Sequence, residues 1–337
     1  MSSTPQRLKL FSTAPQSRGA DRSQYAGAVG DAARLAEAAG CEGMLVYTDN
    51  AILDPWLVSQ LILDATERLC PLVAVQPAYM HPYSVAKLLA TFAYLRERRC
   101  YVNLVAGGFR NDLIALGDDT PHDDRYGRAL EYGQIIRALV EGAAAVTLEG
   151  RYYRVRNLRL TPTIPPELAP GMTISGSSPA GLAAARALGA VAVKYPEPAV
   201  AEQPIDPQIE AGLRIGIIAR DDAEEAWRVA YGRFPEDRAG QIAHGLAMRV
   251  SDSEWHRQLS ELAHAAAASG AAYWLGPFQN YKTFCPYLVG DHPSVAAELA
   301  RYLELGFSTF ILDIPSGEAD LEHTAAVFDE AMSGRRS

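Results

Sequence analysis

The sequence predicts a (β/α)8 barrel, on three observations. Eight short apolar runs, beginning near Leu8, Met44, Leu69, Cys100, Met172, Ala190, Leu213 and Thr309, alternate with stretches of helical periodicity. Such alternation describes a parallel sheet covered by helices on both faces, and eight units are the number that closes a barrel. No G-x-G-x-x-G follows the first run, which leaves the doubly wound open sheet as the second choice.

Leu8 to Phe11 reads as the first strand, closed by Ser12, Thr13 and Pro15. Tyr25 to Ala39 carries Val29, Ala32, Leu35 and Ala36 at helical spacing, and Gly40 is a natural C-terminal stop. The unit then recurs. The strand MLVY (Met44 to Tyr47) leads through Thr48, Asp49 and Asn50 into a helix from Asp54 to Ala65, with Pro55 suited to its first turn. Leu69 to Val75 and Pro82 to Leu95 form the third pair, and Cys100 to Val105 is a fourth strand running into Ala106, Gly107 and Gly108.

A helix from about Arg125 to Val140 follows, and an aspartate among Asp118, Asp119, Asp123 and Asp124 is expected to cap it. Val146 to Leu160 suggests a small hairpin, and the proline-rich stretch after it an extended connector. The alternation resumes with strands at Met172 to Ser175, Ala190 to Lys194, Leu213 to Ala219 and Thr309 to Leu312. Helices are expected at Pro179 to Leu188, Glu224 to Gly232, Pro293 to Leu305 and Asp320 to Met332. The whole chain, 1–337, reads as one barrel domain with insertions at about 146–170 and 232–291.

Composition bounds the function. With 48% hydrophobic and 21% charged residues the chain is an ordinary globular protein, and its net charge of -9 argues against nucleic-acid or anionic-membrane surfaces. The basic trio Arg96, Arg98 and Arg99 reads as a solvated helix end. Cys41, Cys70, Cys100 and Cys285 stand far apart without metal spacing, so no metal is expected, and Cys41, Cys70 and Cys100, each at the edge of an apolar run, are expected to be buried free thiols. No apolar signal core or membrane-length run is present, and a cytoplasmic location is expected.

In such a barrel the segments after each strand line the active-site mouth. These are Ser12 and Thr13; Thr48, Asp49 and Asn50; Gln76 and Pro77; Ala106 to Gly108; Ser175 to Ser178; Tyr195; Arg220; and Asp313. Ser175 to Ser178, between strand and helix, suits either a phosphate or a plain N-cap serine. His122, Arg125 and Tyr126 are candidates for gripping an anion, against the alternative of a capped surface helix. His81 is either a mouth or a helix-entry residue, and His244, His256 and His264 fall on a partly exposed helical face. The aromatic segment Tyr273 to Val289 is either a lid over an apolar substrate or a packing element against the barrel or a partner subunit.

Five motifs in order, VNLVAGG, LGDDTPHDDRYGRALEY, GRYYRV with LRLTP, SGSSPAG and YLVGDHPSVAAELARYLELGFSTFIL, resemble the bacterial luciferase-like flavin monooxygenases. The nearest branch is the alkanesulfonate monooxygenases, and the likeness runs from about Leu8 to Met332. The resemblance implies a (β/α)8 barrel that pairs as homodimers or homotetramers. It also implies use of reduced FMN, delivered by a separate NAD(P)H-dependent flavin reductase, to activate O2. Carried over by motif, Ser177 and Ser178 hold the flavin phosphate with Tyr126 and His122 beside them. Thr48, Asp49, Val105 and Ala106 lie near the isoalloxazine ring.

The departures concern the substrate. Where the alkanesulfonate enzymes carry a cysteine after the second strand, this chain has Ile52; where they carry Arg-x-His on the seventh, it has Arg214, Ile215 and Gly216. The arginine of their mobile loop aligns with Tyr281, beside Lys282, and their late tyrosine falls near Pro315. Arg214, Tyr281 and Lys282 are therefore the candidates for substrate contact. The expected substrate is a specialised metabolite or a carrier-bound acyl group, not a simple alkanesulfonate. Two rival readings stand beside this one: an F420-dependent oxidoreductase of the same fold, and a non-catalytic flavin- or partner-binding protein.

Overall fold

A computed structural model describes residues 7–107, 110–250 and 272–334. Its strands in chain order are β1 (Lys9–Thr13), β2 (Gly43–Val46), β3 (Cys70–Val75), β4 (Tyr101–Val105), β5 (Val146–Glu149) and β6 (Arg154–Leu158). They continue with β7 (Met172–Ser175), β8 (Val191–Lys194), β9 (Ala211–Arg220), β10 (Tyr273–Trp274), β11 (Tyr287–Asp291) and β12 (Thr309–Leu312). The eight strands read from the sequence pair in parallel in the ring β1-β2-β3-β4-β7-β8-β9-β12, and β12 returns to β1. The barrel is closed.

Alternation along each strand divides the core in two. Phe11, Leu45, Leu72, Ala74, Tyr101, Val191, Val193 and Ile311 meet inside the barrel. Their neighbours point outward, as Met44 and Val46 do against Val29, Ala33 and Ile62 of the covering helices. Gly43 allows β2 to approach β3, since a Cβ there would lie 2.2 Å from the Cys70 carbonyl oxygen. Helix entries follow local chemistry: Asp54, His81, Ser178, Asp222 and Asp291 accept hydrogen bonds from first-turn amides. Each such cap contributes about 1 kcal/mol. All four cysteines are free, and burial pushes the thiols of Cys41 and Cys70 up to about 11 and that of Cys100 to about 12. No helix among the described residues is long and apolar enough to cross a membrane.

Several expectations are corrected. β1 runs through Ser12 and Thr13, because pairing with β2 continues to Thr13 opposite Leu45, so both residues are buried strand and not loop. The helix after Gly117 begins at His122, not Arg125, with Pro121 at its N-cap and no side-chain cap. Asp123 and Asp124 sit in its first turn, where they complement the dipole. Asp118 instead accepts from Arg128 at 2.6 Å and from Thr120. Burial raises its carboxyl, but these bonds outweigh it and hold the group below its ordinary value. Arg98 donates to the Thr66 and Leu69 carbonyls and is a tie between elements rather than a solvated end. The hairpin at Val146 to Leu158 forms as β5 and β6.

The largest correction lies in 232–291, an expected insertion whose sequence carries no strand pattern. β11 pairs in parallel with Gly216–Arg220, the second half of β9, and antiparallel with β10. Tyr273, Phe278 and Tyr287 are buried in the core beneath the neighbouring helices, so these three rings are packing residues, while Tyr281 is exposed. Gly108, His256, His264 and the alanine run Ala263 to Ala268 lie outside the described residues.

Where β9 ends, Arg220 and Arg233 converge on Asp320. Arg220 donates to Oδ1 at 2.9 Å, while Oδ2 accepts from the Ser316 amide and hydroxyl, each at 2.9 Å, and also from Arg233. Arg220 thus belongs to this tie between β9, the loop after β12 and the helix Glu318–Ser333, and not to the mouth. Burial opposes ionisation of Asp320, but the Ser316 bonds and the two arginines outweigh it and hold its carboxyl below the ordinary value. A depressed folded pKa contributes stability above the unfolded value of about 4, which is lost as pH falls through the folded one. Asp320→Asn is expected to cost about 3–5 kcal/mol at pH 7 and to flatten the acid limb of stability. Urea denaturation at pH 7 and in acid checks this; a loss within experimental scatter at pH 7 would refute it.

Candidate active site

Because all eight barrel strands run in parallel, the residues two steps beyond the apolar interior form one polar layer at their C-terminal ends. Leu45 leads to Tyr47, Ala74 to Gln76, Val193 to Tyr195 and Ile311 to Asp313, while Arg214 rises from β9 opposite Ile311. Lower in the barrel, Asn103 accepts from Thr173 at 2.7 Å and from Ser175 at 3.1 Å.

Arg214 is the centre of one half of this layer. Its guanidinium lies 4.4 Å from the ring centre of Tyr47 and 5.6 Å from that of Tyr195. Nη1 donates to the Tyr195 hydroxyl at 3.2 Å, and Nη2 lies 3.8 Å from Asp313. The buried Nε has no hydrogen-bond partner among the described residues. Asp313 is shared: it also accepts from Thr283 at 2.7 Å and from the Tyr287 hydroxyl at 2.9 Å. Burial, with Cys285 and Asp313 adding to it, pushes the Tyr195 phenol well above its ordinary value, so it keeps its proton. Burial likewise raises the Cys285 thiol far out of the thiolate range, which removes it as a nucleophile.

The other half is built on the turn after β7. Gly176 has a φ of +144°, and a Cβ there would lie 2.1 Å from the Tyr126 hydroxyl, so only glycine lets the ring lie against the turn. The Tyr126 hydroxyl lies 3.3 Å from the Ser175 carbonyl, and His122 packs edge-on against its ring at 5.4 Å. The sequence-predicted group of His122, Tyr126, Ser177 and Ser178 therefore comes together. Ser178 is also the N-cap of the helix Pro179–Leu188, accepting from Gly181 at 3.2 Å, whereas Ser177 is half-buried at the turn's surface. Arg125 donates to the Gly107 carbonyl, at the end of β4, at 2.8 Å.

Two cavities open at the loops after β2, β3 and β4. One of about 300 Å³ is lined by Thr48, Asp49, Trp56, Ala74, Gln76 and Tyr79. The other, of about 280 Å³, lies among Arg110, Asp118, Thr120, His122 and Arg125. Val105 and Ala106 close β4 beside them, Val105 half-buried and Ala106 buried. Asp49 accepts from the Ala51 amide at 2.7 Å, which shapes its loop. His81 is a helix-entry residue: its Nδ1 accepts from the Tyr83 amide at 3.1 Å.

Tyr281 and Lys282 directly precede Thr283, which reaches Asp313, but the contacts of their own side chains lie elsewhere. Lys282 pairs with Asp237 at 2.5 Å, and exposed Tyr281 lies in the left-handed region at φ +56°, between His244 and Phe284. Sequence reasoning did not single out Tyr47 or Thr283, and took Tyr287 only as one ring of the aromatic segment. Tyr47 was legible as the residue two beyond Leu45, but the other two reach the mouth only through β11.

A family model described as "Luciferase-like monooxygenase" matches residues 7–309. The chain belongs to the luciferase-like monooxygenase family. Among curated relatives, the 4-(gamma-L-glutamylamino)butanoyl-[BtrI acyl-carrier protein] monooxygenase BtrO of Niallia circulans is 37% identical over 303 residues, 88% of each chain. Solved structures of the same fold include the EDTA monooxygenase of Chelativorans sp. BNC1, at TM-score 0.75 and 14% identity, covering 97% of this chain and 94% of that one. An F420-dependent secondary alcohol dehydrogenase superposes at TM-score 0.67 and 18% identity, covering 96% and 99%. This luciferase-like chain is a monooxygenase.

In the Arg-x-His pattern of the alkanesulfonate branch, the second basic position is Gly216 here. Its neighbour explains the glycine: a Cβ would lie 2.2 Å from the Tyr287 ring, the ring whose hydroxyl holds Asp313. Gly216→Ala is expected to displace that ring and cost about 1–3 kcal/mol. Thermal and urea denaturation check it, and a variant as stable as the parent would refute the close packing.

Proposed function

We propose that the chain is the oxygenase of a two-component system, using reduced FMN from a separate NAD(P)H-dependent reductase, and O2, to hydroxylate an acyl group borne on a carrier protein. The donor set suits FMN. The turn at Gly176 has the backbone freedom, the Ser177 hydroxyl and the start of a ten-residue helix that a phosphate needs. Tyr126 and His122 brace it. Thr48, Asp49, Val105 and Ala106 offer small or polar groups for a planar ring. When bound, the reduced flavin supplies the electrons that activate O2.

The residues of the chain place the partners. Arg214, stacked between Tyr47 and Tyr195, keeps a buried Nε–H that has no partner among the described residues, and a carbonyl or amide oxygen of the acyl chain can accept from it. Tyr195 stays protonated and steadies the guanidinium, and the aromatic walls keep water from the reacting atoms. The observation that carries the substrate reading is Arg214, partly neutralised by Asp313 at 3.8 Å, with Tyr287 filling the room a second basic group at position 216 would take. A neutral acyl group fits such a site better than a sulfonate. The 37% identical relative named for a carrier-bound acyl substrate supports the same class.

Anaerobic titration is expected to give tight binding of reduced FMN. Ser177→Ala and Tyr126→Phe should each weaken it by about three- to tenfold, the worth of one hydrogen bond. Tight binding of reduced F420 with indifference to FMN would overturn the cofactor reading. With reductase present, Arg214→Ala is expected to raise KM for a carrier-bound acyl substrate by about tenfold or more while leaving flavin affinity intact. Equal turnover of the free acid would overturn the carrier requirement.

A further inference from the structure

We infer that Asp221, His292 and His323 form a site for one divalent transition-metal ion of the zinc class. Sequence spacing hides it, because the three residues come from three distant segments. The parallel register of β9 and β11 sets Arg220 opposite Asp291, which puts the next residues, Asp221 and His292, side by side. The helix Glu318–Ser333 crosses there and adds His323, one turn beyond Asp320, whose carboxylate anchors that helix to Arg220 and Arg233. The backbone beneath the three side chains is therefore tied on every element that contributes one.

The geometry is that of a ligand set. His292 Nε2 and His323 Nδ1 lie 2.8 Å apart, and His292 Nδ1 lies 3.6 Å from the Asp221 carboxylate. One ligand atom from each residue falls within 4.8 Å of the others. Two nitrogens bound to zinc at about 2.0–2.1 Å in tetrahedral geometry stand about 3.3 Å apart, so a small rotation of half-buried rings admits the ion. In its absence the imidazoles share one proton in a hydrogen bond; the ion takes that proton's place, which requires both rings to be neutral. Asp221 serves either as the third ligand or, through His292 Nδ1, as the group that orients the ring. Its carboxylate is largely exposed, leaving remaining positions to water.

The donor types choose the metal. Two imidazoles and one carboxylate favour zinc, nickel or copper over magnesium and calcium, which need oxygen. Arg214 and Arg220 are separated by six steps of extended strand, roughly 20 Å, so the ion would sit far from the stacked arginine. Its role would be a clasp joining the outer sheet to the barrel's closing helix.

The test uses the full chain, stripped with a chelator and titrated with Zn2+ by calorimetry and with Co2+ by visible absorption. One equivalent is expected, with the absorption of nitrogen-ligated cobalt, a raised melting temperature, and no competition from Mg2+. His323→Gln and His292→Asn should abolish the cobalt spectrum, and Asp221→Asn, at an exposed position, should weaken binding by about 10- to 100-fold. Absence of stoichiometric binding, or a cobalt spectrum unchanged in both folded histidine variants, would overturn the site. Should the histidine variants misfold, undiminished affinity in Asp221→Asn would do so.

Discussion

The structure depends on one long strand. β9 has ten residues where its barrel neighbours β8 and β12 have four each, and it does two jobs in sequence. Ala211 to Leu213 pairs with β8 and Gly212 to Ile215 with β12, which closes the ring and leaves the barrel without an exposed edge. Gly216 to Arg220 continues past the rim and takes β11 as its partner. Two glycines permit the tight approaches: a Cβ at Gly212 would lie 2.8 Å from the Thr309 carbonyl oxygen, and one at Gly216 would enter the Tyr287 ring. The overhang supplies the wall behind Arg214 and the platform on which Asp221 and His292 meet.

Electrostatics of the mouth follow from that wall. Asp313 is buried, yet it is supplied with hydrogen bonds by Thr283 and Tyr287 and with a nearby cation by Arg214, so its charge is compensated. Arg214 in turn gains two aromatic faces, a contact that favours a desolvated guanidinium. The phenols of Tyr195 and Tyr287 and the Cys285 thiol are held protonated by burial. Such a layer orients and donates hydrogen bonds but holds no activated nucleophile. The arrangement matches a family in which the bound cofactor carries the hard chemistry and the protein supplies placement.

Much of the fold was legible from local pattern. Parallel strands buried on both faces must be apolar throughout, so MTIS, TFIL and CPLVAV announce themselves, and Ser178, Asp54 and Asp222 mark helix starts by their chemistry. The candidate site was half legible. Ser175 to Ser178, Thr48, Asp49, Tyr195 and Asp313 follow from the rule that strand ends form the mouth. Tyr287 and Thr283 were not, since their segment reads as an aromatic run and becomes a strand only when β9 offers an edge. The expected aspartate cap before Tyr126 failed for a related reason: Arg128, two turns on, competes for Asp118.

By itself, then, the sequence determined the number and order of barrel strands, the covering helices and the ring of loop residues, because each depends on periodicity and caps within a few residues. The tertiary structure decided which aromatic rings flank Arg214, why position 216 is glycine, and that three residues from different segments converge on one point. Those outcomes depend on strand register and helix crossing, contacts between residues tens to hundreds apart that no local pattern encodes.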